Sequence, residues 1–182
     1  MFNLFNKKKK EEPKPLSRTV RDLNQGYVFE YDLRSWEVTK VYEYDWGSNN
    51  FTREFQVSDG SEKRYLSVEE DDELEMVLMQ KIKVRSLQKD LPNLIMENEK
   101  PPETLKYEGM EFYLEQESPG YFRELPSDSQ EDWEEFIAWD YQDDSGKYTL
   151  TVEQWDDRSF EAAYGKVLKE FEISNILPRE QK

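Results

Sequence analysis

Apolar and polar side chains alternate along most of this chain. Tyr27, Phe29, Tyr31 and Leu33 alternate with Val28, Glu30, Asp32 and Arg34, and Trp36, Val38, Tyr42, Tyr44 and Trp46 continue on even positions. A period of two with one polar face predicts antiparallel strands with one side buried. "DWGSNN" then supplies the Gly and Asn of a hairpin turn. Phe51, Phe55 and Val57 resume the alternation, and "SDGSEK" turns the chain again. Leu74, Met76, Leu78, Ile82 and Val84 form the longest run, opposite Glu75, Lys81 and Lys83.

Residues 88–106, "QKDLPNLIMENEKPPETLK", interrupt the pattern with Pro92, Pro101 and Pro102 and read as a linker. Beyond it the plan repeats. "GMEFYLEQ" from Gly109 answers "GYVFEYDL" from Gly26, an offset of 83, and "LTVEQ" from Leu150 answers "LSVEE" from Leu66, an offset of 84. Trp139 and Tyr141, then Tyr148, Leu150 and Val152, then Phe160, Ala162 and Tyr164 are further alternating runs, and Phe171, Ile173 and Ile176 close the chain before Pro178.

Two copies of one sheet, packed face to face or closed into a barrel, would each cover the other's apolar side. The expected fold is therefore mainly β: two related antiparallel β-meander units in a sandwich or barrel-like domain, with little helix. The expected boundaries are a disordered basic tail over 1–18, a first unit over 19–87, the linker over 88–106, a second unit over 107–178 and a short tail over 179–182. "RTVRDLNQG" predicts a single helical turn ending at Gly26. "SQEDWEEFIAW" carries a capping pattern, with Trp133, Phe136 and Ile137 as one face of a short helix or an irregular loop.

Composition sharpens this picture mostly by exclusion. Aromatic residues make up 14% of the chain, too much ring for a disordered protein despite a mean hydropathy of −1.03. The chain has no Cys, so neither disulfides nor thiolate chemistry arise. It has no His either, which removes the commonest general base and any Ser-His-Asp or Cys-His triad. The seven Gly form no phosphate-binding loop or dinucleotide fingerprint, and no cofactor is expected. No stretch approaches the roughly 20 apolar residues of a membrane-spanning helix.

Charge is unevenly spread. Residues 1–18 carry a net +4 and the remainder a net −20. A body that acidic repels nucleic acid, so direct nucleic-acid binding is not expected. In the tail, Phe2 and Phe5 beside Lys7, Lys8, Lys9 and Lys10 are candidates for contact with an anionic membrane surface, set against a solvated leader. The signal-peptide order is absent. A cytoplasmic address follows, with peripheral membrane contact as its variant.

Carboxylates are the catalytic groups present in quantity. Asp71 and Asp72 recur as Asp156 and Asp157 at corresponding places, which makes the four candidates for a hard-cation site or for paired acid and base work. Turn residues at strand ends need no such chemistry, and that is the preferred reading. "DYQDDSGK" (140–147) fits a hairpin turn at least as well as a calcium loop. The five Trp sit in phase with apolar neighbours, as core residues do. Trp155, beside the acidic pair, departs from this and is a candidate for a ligand or partner surface.

Taken together, "TVRDLNQGYVFEYDLRSWEVTKVYEYDWG", "YLSVEEDD", "SPGYFRE", "LTVEQWDDRSFEAAYGKV" and "EFEISNILP" resemble the bacterial family catalogued as domain of unknown function 4178. The similarity covers about residues 19–178, with Trp155, Asp156, Phe160, Glu161, Ala162 and Gly165 as its marks. The resemblance implies no established activity and assigns no site residues; it suits an accessory or adaptor role. The leading expectation is a non-enzymatic module that binds a protein or a cationic partner. A divalent-cation binder or carboxylate-based enzyme, and a nucleic-acid mimic, are the alternatives. The enzyme reading requires the four Asp to converge in one cleft.

Overall fold

A computed structural model describes residues 18–70 and 72–178. After a single turn over Val20–Asp22, five strands follow: β1 (Tyr27–Tyr31), β2 (Arg34–Asp45), β3 (Phe51–Ser58), β4 (Lys63–Glu70) and β5 (Leu74–Ile82). Two helices come next, α1 (Val84–Leu87) and α2 (Leu91–Asn98). Five more strands succeed them: β6 (Thr104–Tyr107), β7 (Met110–Leu125), β8 (Glu134–Asp143), β9 (Tyr148–Asp156) and β10 (Ser159–Leu168). The last strand, β11 (Ser174–Pro178), returns to pair with β1.

All pairings are antiparallel, in the order β11-β1-β2-β3-β4-β5-β10-β9-β8-β7-β6. One further pairing closes the sheet. β2 divides its outer edge, giving Arg34–Glu37 to β1 and Val41–Asp45 to Tyr121–Leu125 of β7. β7 divides its own edge likewise, giving Met110–Tyr113 to β6. The eight strands β2-β3-β4-β5-β10-β9-β8-β7 thus form a closed barrel, with β1, β11 and β6 as flaps outside it.

Closure makes the choice of inward face decisive, and bulges make that choice. β2 slips register between Val38 and Lys40, and a one-residue slip reverses every later side chain. Trp36 and Val38 therefore point outward, while Tyr42, Tyr44 and Trp46 point inward. The even-numbered run from Trp36 to Trp46 is not one face, as its spacing suggests. β7 slips in the same way between Leu114 and Gln116. Leu33 also leaves its expected strand, because β1 ends at Tyr31 and Asp32–Leu33 form the two-residue turn into β2, both at positive φ.

The apolar faces do not cover each other. One cluster, which includes Val57, Leu66, Met76 and Leu168, lies on the outer wall under Val20, Leu23, Phe29, Ile173 and Ile176. The other, which includes Phe112, Trp139, Leu150 and Val152, lies on the opposite outer wall. Here the expected linker has a structural role. Leu91 and Ile95, one turn apart on α2, are buried in this second cluster, and Pro102 O accepts a hydrogen bond from Tyr141 Oη at 2.8 Å. "SQEDWEEFIAW" forms only a turn at Gln130–Asp132 before β8 begins, so Phe136 and Ile137 face opposite sides of a strand rather than one helical face. The second meander follows the strand order of the first, and Leu66 and Leu150 both point outward from the fourth strand of their meander. Gly26 and Gly109 do not correspond: Gly26 precedes β1, whereas Gly109 turns β6 into β7.

Candidate functional site: the barrel lumen

The inward positions of the eight strands enclose a cavity of about 760 Å³, within the range of small-molecule sites. One part of its wall is aromatic. Trp155 stacks on Phe136 with centroids 4.8 Å apart and meets the edge of Phe122 at 5.1 Å. Tyr44 stacks on Trp46 at 5.6 Å and contacts Phe136 edge-on. Gly120 makes this crossing feasible, because a Cβ there would lie 2.9 Å from the Trp46 ring. The rings thus line one continuous side of the wall, over β7, β8 and β9 and the end of β2.

The remaining wall is polar. Glu54 of β3 accepts from Tyr44 Oη at 3.3 Å, Glu153 of β9 from Trp155 Nε1 at 3.1 Å, and Asp140 of β8 from Thr151 Oγ1 at 2.7 Å. Gln56 Nε2 donates to Tyr42 Oη at 3.1 Å. Lys81 of β5 pairs with Glu161 of β10 and lies 5.2 Å from the centre of the Tyr65 ring.

This enclosure changes the acids. Glu54, Asp140 and Glu153 lie deep in the wall, and burial disfavours their ionised carboxylates. Burial is the main cause that lifts Glu54 to about 7, with the Glu161 charge adding to it and Lys81 and the Tyr44 hydroxyl opposing it. Burial lifts Glu153 further, to about 8, and the charges of Glu54 and Glu161 act in the same direction. Asp140 is raised by burial, with the Thr151 hydrogen bond opposing. The Tyr42 and Tyr44 phenols are also pushed up, chiefly by burial, and stay neutral donors.

Of the residues singled out from sequence, Trp155 lies in this wall. Asp156 borders the lumen, but its carboxylate accepts from Arg158 N at 3.0 Å and Ser159 N at 2.8 Å, as a turn residue does. Asp157 belongs to that β9–β10 turn, and Asp72 to the β4–β5 turn. The two turns do not meet. β5 and β10 run antiparallel, with Met76 opposite Leu168 and Ile82 opposite Ala162, so the turns lie beyond opposite ends of a paired stretch that is itself about 20 Å long at about 3.3 Å per residue. The single cleft that the enzyme alternative requires is therefore not formed by Asp72, Asp156 and Asp157. Asp71, Phe2, Phe5, Lys7, Lys8, Lys9 and Lys10 lie outside the described residues. In "DYQDDSGK", Asp143 closes the β8–β9 turn by accepting from the backbone of Ser145, Lys147 and Tyr148, while Asp140 faces the lumen. Among the described residues, no group of three carboxylates converges to hold a metal ion.

Residues 24–170 match the family model described as Domain of unknown function (DUF4178). The chain belongs to this family. It is also similar to an uncharacterized protein of Aquifex aeolicus (strain VF5), at 30% identity over 178 residues that cover 97% of this chain and 95% of the relative. No solved structure matches. The DUF4178 region begins just ahead of β1 and ends just after β10, so it contains the whole barrel and every lumen residue named above. No helix of the described residues is long and apolar enough to cross a membrane.

Sequence reasoning missed Glu54, Lys81 and Glu153, and met Asp140 only as part of a turn or calcium loop. Each alternates with apolar neighbours, the pattern of a strand with one wet face. Nothing local distinguishes a wet face turned to bulk solvent from one rolled into a lumen.

Proposed function

We propose that the barrel is a non-enzymatic binding module whose lumen takes a small organic cation, an amine bound as its ammonium form. One observation carries this reading: Glu54 and Glu153 face an enclosed, ring-walled cavity in which burial keeps them from ionising easily. A cation entering such a site stabilises the carboxylates that the empty lumen disfavours. The Trp and Tyr rings add cation–π attraction, which is about 2 kcal/mol where the cation is desolvated. Burial pushes both carboxyls in the same direction, which suits binding better than the division into ionised and protonated partners that glycoside hydrolysis needs.

Calorimetric titration of the full chain with 1,4-diaminobutane tests this, at pH 6, 7 and 8 in buffers of different ionisation enthalpy. Because the ligand selects ionised carboxylates, affinity should rise with pH and binding should release protons. An E54Q/E153Q variant should lose most of the binding. Wild-type chain that takes up no diamine, or a double variant that binds it equally well, would overturn the reading. A calcium arm distinguishes an ammonium site from a divalent-cation site.

A further inference from the structure

Among the described residues that line the lumen, Lys81 is the one with a positive charge. Its ammonium already has what an amine ligand would seek: a carboxylate partner in Glu161 and the face of the Tyr65 ring at 5.2 Å. We propose that Lys81 is a built-in competitor, an ammonium on a tether that fills one cation place of the lumen and decides which amines enter. The inference rests on the amine reading above.

Two observations support it beyond the ion pair. The Lys81 side chain is 51% exposed, so it is not locked by packing, and its four-carbon stem is free to yield the place to another ammonium. The Lys81–Glu161 pair also stands at a boundary. A shallower groove of about 390 Å³, lined in part by Ile82 and Phe160, shares Lys81 and Glu161 with the lumen. Lys83 and Arg85 line the same groove, so an amine arriving from it meets cationic side chains, with Lys81 the one of them that also lines the lumen. Desolvation weakens the hold of Lys81 on its proton. The Glu161 hydrogen bond and charge lead the contributions that more than offset this and keep the ammonium charged.

The test compares wild type, K81R, K81A and K81M, titrated with butylammonium chloride and with 1,4-diaminobutane at constant ionic strength. Relief of like-charge repulsion should let K81A and K81M bind butylammonium about tenfold more tightly than wild type, and K81R should match wild type. K81M keeps most of the stem, which guards against a simple packing defect in K81A. Diamine binding by wild type, with no gain for butylammonium in either truncated variant, would overturn the role of Lys81 and leave the amine reading standing. Absence of diamine binding by wild type, with butylammonium captured by K81A and K81M, would support the Lys81 place while overturning amine uptake by the wild-type lumen.

Discussion

Neighbouring residues of β8 live in different media. Trp139 points outward, has no exposed surface, and packs among Phe112, Leu150, Val152 and the helix residues Leu91 and Ile95. Asp140, one residue on, points inward and keeps a carboxylate in the lumen, held by Thr151. The same division runs around the barrel, with Phe55 outside and Glu54 inside on β3, and Val152 outside and Glu153 inside on β9. The two larger apolar clusters lie outside the wall, covered by the chain's own flaps and helix, and carry most of the hydrophobic stabilisation. A smaller aromatic cluster, around Tyr44 and Phe136, lies inside it. The lumen contributes less and contains groups that burial penalises. Stability resides outside the wall, and the candidate chemistry within it.

Substitutions on the two sides should separate accordingly. The largest loss is expected outside. Trp139→Ala should cost about 3–5 kcal/mol in denaturant unfolding, the usual range for deleting a buried large aromatic; a loss below 1 kcal/mol would mean that the outer cluster is not the main core. Gly165→Ala comes next. A Cβ there would lie 2.5 Å from Val77 Cγ1, 2.7 Å from Thr149 Oγ1 and 2.8 Å from Met79 Cγ. Overpacking of this kind should cost about 1–3 kcal/mol, and unchanged stability would show that the wall yields more easily than a packed barrel does.

Glu153→Gln should do the opposite, and only at high pH. A carboxyl raised in the folded state from 4.5 to about 8 lets the folded chain hold more protons than the unfolded one between those values. Its stability contribution is complete below about pH 4.5 and is lost as pH climbs through 8. The variant should stay within about 1 kcal/mol of wild type near pH 5 and exceed it by about 3–5 kcal/mol at pH 9. Urea midpoints across that range provide the check, and a variant weaker than wild type at pH 9 would contradict burial as the cause. The smallest effect belongs to Lys106→Ala, which breaks an exposed pair with Glu111. Its unfolding midpoint should not move measurably.

Much of the architecture was legible because strand alternation and turn chemistry are local. Phe55 and Val57, or Leu74, Met76 and Leu78, announce a strand with one dry face, and Asp59, whose carboxylate accepts from Ser61 N and Glu62 N, announces the turn between β3 and β4. The lumen was not legible in the same way. Trp155 stood out because it sits beside an acidic pair, yet its partners Phe122 and Phe136 come from other strands, and Glu54 looks like any solvated glutamate in its own stretch.

The order of residues by itself determined a β-rich chain of two meanders, the positions of most turns and, outside the bulged strands β2 and β7, which side chains share a face. Whether a wet face meets bulk water or the lumen of a barrel was decided only by tertiary structure. That outcome depends on β2 meeting β7 across about 80 residues and on single-residue slips after Val38 and Leu114 that reverse the strands. Alternation marks two faces as different. It carries no sign for which of them curves inward, because curvature and closure belong to the whole sheet.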